Sequence, residues 1–457
     1  MLFHTQLFIL VFLPVVLGFY YLSRRHHTLQ QWLLVAASLI FYGYWDVRLI
    51  PLLIGSVIVN WLVAQQYVQS KHKWLIYLGV LANLALLGIF KYANFFAETF
   101  AALHGSQHQY WDIVLPLGIS FFTFQQLSYL VDLNRGNAPL YSLRKYALYV
   151  TFFPQLIAGP IVRHNEILPQ FKESIGPEVM VKRISQGLIL FMLGVIKKVV
   201  VGDTLAGIVD PLYATVQSLS CIEAWIAAFG FSLQIYFDFS GYSDMAIGLG
   251  LMFGVILPEN FAAPYRATSI VEFWRRWHMT LSRFLKDYLY IPLGGNRFGA
   301  THQVGALLVT MLLGGLWHGA NWTFVIWGLI HGSALATNHM WQKTGIKLPS
   351  VLAWSLTFVV VVLAFALFRA PDVATAALLY AKMFSLPIAG EAGLTLKSLW
   401  ILPVAFLIVL FGMTTQTYVF EKFKPARIGA VALGLTGVWL VLKLGGDFGH
   451  EFIYFQF

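Results

Sequence analysis

Apolar residues in this chain do not alternate with polar ones; they run on in long windows separated by short polar connections. Windows with little or no charge lie at residues 5–22, 26–45, 49–70, 74–90, 113–131, 146–162, about 184–202, 222–237, 245–258, 303–330, 348–368, 398–420 and 428–442. Most approach the roughly 20 apolar residues that a bilayer-crossing helix needs, and several are short or interrupted by Gly and Pro. The pattern predicts an all-α, polytopic integral membrane protein of about ten to twelve transmembrane helices, with re-entrant and interfacial helices besides. Basic residues orient them. Arg24 and Arg25, then Lys71 and Lys73, then Arg135, Arg144 and Lys145 follow the first, third and fifth windows. Positive connections stay in the cytoplasm, so the N-terminus is expected outside.

Composition sharpens this picture. Of 457 residues, 58% are hydrophobic and 11% charged, against about a quarter charged in a soluble domain. The balance of 30 basic to 20 acidic residues, +10, fits cytoplasmic loops facing anionic lipid and does not call for nucleic acid. The single cysteine, Cys221, excludes an internal disulfide and reads as a small core hydrophobe. No basic start or small-residue cleavage site marks a secretory signal, and residues 7–22 are expected to remain as a first span. No repeat or appended soluble domain is evident, so residues 1–457 read as a single membrane domain.

Its centre, about 150–335, mixes apolar helix with Pro, Asp, Arg and His, groups that survive at membrane depth only inside protein or beside a water-filled cavity. Residues 298–342 hold no Asp, Glu, Lys or Arg, yet contain His318, Asn321 and His331. On one helix His318 and Asn321 share a face, while His331 falls on roughly the opposite face about 20 Å along. Gly314, Gly315 and Gly319 allow close approach of a chain or ligand, which favours a functional His318; His331 reads better as a core imidazole satisfied by its neighbours.

Residues 271–287 predict an interfacial helix. Trp274, Trp277, His278, Leu281, Phe284 and Leu285 form its apolar stripe and Arg275, Arg276, Arg283 and Lys286 its cationic side. Lipid anchoring accounts for the cations, but not for His278, which either serves a site or bonds a neighbouring helix. In 234–248, Asp238 and Asp244 interrupt an apolar run, and Gly241 between them invites a break. Pairing with Arg275 or Arg276 is the expected role of these carboxylates. The two prolines and the glycine of 153–163 predict a broken or re-entrant segment. No phosphate loop, serine elbow or His-Glu-x-x-His is present, and metal-ligand spacing is lacking, so no metal and no bound cofactor are expected. Ser142-Leu143-Arg144-Lys145 matches Ser-x-x-Lys only at chance level.

Four segments taken in order are more specific than any alone: Phe-Pro-Gln-Leu-Ile-Ala-Gly-Pro-Ile at 153–161, Gln-Ile-Tyr-Phe-Asp-Phe-Ser-Gly-Tyr-Ser-Asp-Met-Ala-Ile-Gly-Leu-Gly at 234–250, Glu-Phe-Trp-Arg-Arg-Trp-His-Met-Thr-Leu-Ser at 272–282, and Gly-Gly-Leu-Trp-His-Gly-Ala-Asn-Trp at 314–322. Together they resemble the membrane-bound O-acyltransferases, most of all the bacterial branch whose membrane subunits serve O-acetylation of alginate, peptidoglycan, cellulose and other exopolysaccharides.

The resemblance implies a ring of spans around a central tunnel, an essential histidine at His318, and a second histidine position at His278. It points to Asn321, Trp317, Trp274, Asp238, Ser240, Asp244, Gln155, Arg275 and Arg276 as supporting residues that line the tunnel or bind substrate. It implies residence in the bacterial inner membrane, acetyl-CoA as a cytoplasmic donor substrate, and a periplasmic SGNH-type or serine acetyltransferase as the partner that completes transfer to a polysaccharide acceptor. On that reading a neutral His318 takes the proton of the attacking hydroxyl, while His278 or Asn321 orients it or holds the carbonyl oxygen. The rival reading is a transporter or flippase that moves a lipid-linked or acyl carrier without forming a bond, for which Asp238, Asp244 and the broken 153–163 segment are suited.

Overall fold

In the computed structural model, residues 1–106, 108–172, 175–386, 399–423, 427–444 and 452–453 are described. They are helical with no strand among them. Five helices are long and apolar enough to cross a bilayer: Val47–Ser70, Trp74–Leu103, Pro177–Ala214, Ala300–His318 and Ser350–Arg369, with the bent pair Ile401–Phe411 and Thr415–Lys422 as a sixth. Large side chains such as Leu62, Leu81 and Phe411 stand exposed on these helices, as lipid-facing surface requires.

The chain divides into two compact units. The first comprises Met1–Leu193, Tyr242–Pro258 and Lys424–Phe448. Its helix Ile119–Asn134 is buried nearly all round, and its polar groups are bonded: Gln126 donates to Ser56 Oγ at 2.9 Å and accepts from the Tyr146 hydroxyl at 3.3 Å. Two buried amides, Asn60 and Asn83, bond each other between neighbouring spans. In place of lost water such pairs give polar side chains a partner. The Pro-rich segment folds as a one-turn helix, Phe153–Leu156, followed by buried non-helical residues up to Val162. Gln155 donates to the Tyr149 carbonyl there at 2.7 Å. Asp244 is also buried in this unit.

The second unit comprises Gly194–Gly241, Glu259–Phe423 and Gly449–Phe457. The helix Cys221–Met252 runs unbroken through Gly241, contrary to the break that glycine suggests. A Cβ at Gly241 would lie 2.7 Å from the Gly194 carbonyl and 3.0 Å from the Lys198 nitrogen. Absence of a side chain here serves backbone contact, not a bend. Two other predicted helices do break. Residues 271–287 form Ile270–Arg276 and Met279–Leu285, parted at Trp277 and His278. The long uncharged window folds as a hairpin, Ala300–His318 and Trp322–Lys343, reversing at Gly319, Ala320 and Asn321. The hairpin closes on glycine: a Cβ at Gly328 would collide with the Met311 carbonyl, and one at Gly319 would enter the Phe324 ring.

Candidate active site

His278 owes its position to the break in the 271–287 segment. Ser269 caps the first short helix by accepting from the Glu272 N–H, and the chain then turns at His278 with φ 42° and ψ 53°. A left-handed backbone in a residue other than glycine costs of order 1–3 kcal/mol and persists where its surroundings hold it. Asn260 does the holding. Its Oδ1 accepts from the Thr280 N–H at 3.2 Å, from the Thr280 hydroxyl at 2.9 Å, and meets His278 Nδ1 at 3.1 Å, while its carbonyl accepts from the Met279 N–H. An amide N–H can only donate, so the Asn260 atom is an acceptor and His278 Nδ1 must carry the proton. The Nε2 atom therefore presents a lone pair.

His318 is the last residue of the helix Ala300–His318. Its ring lies 5.0 Å from that of Trp317, 5.1 Å from Trp327 and 5.3 Å from Phe368, each pair edge to face. The two imidazoles lie with centroids 6.5 Å apart and planes tilted by 59°. His278 is wholly buried and His318 nearly so. Phe239 stands edge-on to His278 at 4.7 Å, and Trp317 lies 6.1 Å from it. Both histidines are thus buried among aromatic rings, with Trp317 next to each.

Asp238, next to Phe239 in the chain, belongs to a buried ionic group. Asp238 binds Lys198 at 2.9 Å and accepts the Ile453 N–H at 2.8 Å; Lys198 also binds Asp203 at 2.6 Å. The expected pairing of the 234–248 carboxylates with Arg275 or Arg276 does not hold for Asp238. Arg276 pairs instead with Glu272 at 2.7 Å and donates to the Ala262 carbonyl. Burial raises the Glu272 pKa, but hydrogen bonds from the Thr268 N–H and hydroxyl and from Arg276 outweigh it and hold the carboxyl below its ordinary value. Ser240, on the helix of Asp238, is buried, and its hydroxyl makes no hydrogen bond among the described residues.

Asn321 does not share a helical face with His318. The helix ends at His318, and Asn321 caps the next one, accepting from the Thr323 N–H at 3.0 Å and donating to the Pro371 carbonyl at 2.7 Å. Both ends of its amide are engaged, which corrects the expectation that it orients His318. The same reversal undoes the spacing argument that put His331 out of reach. His331 Nδ1 accepts from Trp274 Nε1 at 3.2 Å, and Trp327 touches both His331, at 4.6 Å, and His318. Trp274 and Arg275 also line a cavity of about 600 Å³ with Lys286, Arg297 and His339, and among the described residues no carboxylate lines it.

Sequence reasoning passed over Asn260, Lys198, Asp203, Trp327 and Phe368. Lys198 carried a readable signal, an ionisable group inside an apolar window. Asn260 carried none, because its partners are 18 and 20 residues on.

Residues 122–370, which hold all of this machinery except Pro371 and Ile453, match the family described as MBOAT, membrane-bound O-acyltransferase family. The peptidoglycan O-acetyltransferase of Helicobacter pylori is 46% identical over 413 residues, 82% of this chain and 78% of that protein. The probable alginate O-acetylase AlgI of Pseudomonas putida is 39% identical over the full length of both. The teichoic acid D-alanyltransferase of Streptococcus thermophilus is 25% identical, covering 72% of this chain and 81% of its own.

Proposed function

The chain belongs to the membrane-bound O-acyltransferase family, and from that premise we propose that it carries an acetyl group from cytoplasmic acetyl-CoA across the inner membrane to an extracytoplasmic polysaccharide. It is a multi-pass membrane enzyme. The observation that carries the mechanism is the pair of buried imidazoles with centroids 6.5 Å apart among aromatic rings.

The acceptor oxygen attacks the thioester carbonyl carbon, forming the new C–O bond. His318 takes the hydroxyl proton, the C–S bond breaks, and the proton passes to the departing sulfur. His278, held with its proton on Nδ1, offers Nε2 as an acceptor for a neighbouring hydroxyl of the acceptor molecule, since the attacking hydroxyl gives its one proton to His318. Burial among aromatic rings strengthens each of these contacts and keeps water from the thioester. Asp238 and Ser240 flank Phe239 in the chain and support its position, and Trp317 bridges the two histidines.

The cavity bounded by Arg275, Lys286 and Arg297 suits the phosphates of coenzyme A, which call for cations and no nearby carboxylate. Acetylation and a wall or matrix polymer as acceptor are supported by what the H. pylori and P. putida relatives are named for. The acetyl ester formed on that first acceptor oxygen is handed on to the polymer by a second catalyst, and a periplasmic SGNH-type or serine acetyltransferase fills that role. The test is His318→Ala with insertion in the membrane verified. Polymer acetylation is expected to vanish, and acetylation persisting at the wild-type level refutes the role given to His318.

A further inference from the structure

We infer that His331 is a positioning residue for the reaction, fixing the orientation of His318 through the ring of Trp327. This rests on the reading that His318 carries the chemistry. The observation is a column of four rings in contact: Trp274 to His331 at 5.2 Å, His331 to Trp327 at 4.6 Å, and Trp327 to His318 at 5.1 Å. Phe368 closes it from the side, 5.5 Å from Trp327 and 5.3 Å from His318. Every member is buried.

The column is anchored by one directional bond. Trp274 Nε1 donates to His331 Nδ1 at 3.2 Å, which places the His331 proton on Nε2 and fixes the plane of the ring. Phe273 lies parallel to that ring, 9° from coplanar, on a second side. A residue serving only to fill space here would be Leu or Phe, because a buried imidazole loses its hydration and regains one hydrogen bond. What the imidazole adds is direction. Its fixed plane sets the tilt of Trp327, and Trp327 stands edge to face with His318 at 81°. Since His318 ends its helix and the next begins only at Trp322, these rings help to hold its imidazole in place.

The experiment uses the full chain in membranes or detergent and compares His331→Phe, Trp274→Phe and His331→Asn with the wild type. Asn puts an acceptor where Nδ1 stood; Phe keeps ring volume without one. Acetyl-CoA turnover by His331→Phe is expected to fall about 10- to 100-fold in kcat at unchanged KM, and kcat in Trp274→Phe, at a residue that also lines the donor cavity, is expected to fall by a similar factor, the size of effect that a small misplacement of a reacting group produces. His331→Asn restores most of it. In parallel, carbethoxylation of His318 by diethyl pyrocarbonate, read by mass spectrometry, quickens in both Phe variants while that of His278, which Asn260 holds independently, does not change. Wild-type kcat per folded molecule in His331→Phe overturns the inference, as does a joint rise in the labelling of both histidines. If His331→Phe does not accumulate, Trp274→Phe decides by the same two measures. A wild type inert toward acetyl-CoA refutes the proposed donor instead, and the labelling comparison still judges the role of His331.

Discussion

Asn260→Ala isolates what holds His278. The substitution removes an acceptor that serves His278 Nδ1, the Thr280 N–H and the Thr280 hydroxyl at once. Two quantities then bear on catalysis. Loss of the bond to Nδ1 releases the tautomer, worth about 0.5–1.5 kcal/mol net, and relaxation of the left-handed backbone at His278 returns about 1–3 kcal/mol of strain. Together they make a productive imidazole rarer by about 1.5–4.5 kcal/mol, or roughly 13- to 2,000-fold in rate at 1.36 kcal/mol per decade. The assay is the initial rate of acetyl transfer by protein shown to be monodisperse in detergent. Asn260→Asp keeps an acceptor and should retain more activity at equal accumulation. A double variant with His278→Ala should be no worse than His278→Ala alone, since residues acting as a unit are not additive. An Asn260→Ala protein that folds and retains wild-type kcat would falsify the account of His278.

Three further perturbations address the scaffold and the donor. Lys198→Met leaves two buried carboxylates facing each other and should cost about 3–5 kcal/mol, seen as lower accumulation and a lower melting midpoint; adding Asp203→Asn and Asp238→Asn should recover much of it, and an unchanged midpoint for the single variant refutes the triad's importance. Gly328→Val forces a side chain against the Met311 carbonyl and should destabilise the hairpin by about 1–3 kcal/mol, whereas Gly305→Ala, whose Cβ meets nothing within 4 Å, should melt no lower than the wild type. Arg275→Gln and Lys286→Gln should raise the KM for acetyl-CoA several-fold with kcat retained, the more so at low salt; salt-independent effects would place the coenzyme elsewhere.

The chain's membrane character and helical class were legible because they depend on long local sums of hydropathy. The candidate histidines were legible for a related reason, since a polar group costs most where its neighbours are apolar and stands out there. Partnership was not. Asp238 was matched to arginines of the next polar segment, whereas its cation comes from Lys198 in an earlier window. Helix breaks were misjudged in both directions. Gly241 signals a break by propensity but is needed for contact with Gly194, and His278, with no helix-breaking chemistry, stands at a real one because Asn260 stabilises the turn. The continuous-helix assumption then misplaced Asn321 and His331, whose relation to His318 is decided by three residues of loop.

Those breaks also distinguish the two imidazoles electrostatically. His318 closes a helix of 19 residues, at the end where unsatisfied carbonyls carry about half a negative charge. His278 stands before the first residue of a helix of 7, where the partial charge is positive. An imidazolium forming as the acceptor hydroxyl loses its proton is therefore stabilised at His318, by about 0.3–1 kcal/mol and up to about 2 kcal/mol in a partly buried setting. At His278 the same field opposes it, and the Nδ1 proton is already committed to Asn260. The pair is thus polarised: His278 accepts and orients, and His318 receives the proton. His278→Gln, which retains an acceptor near the Nε2 position, should then keep measurable transfer, while His318→Gln, which cannot take up the proton, should keep none; equal residual rates in the two variants would show that the helix ends do not set the roles.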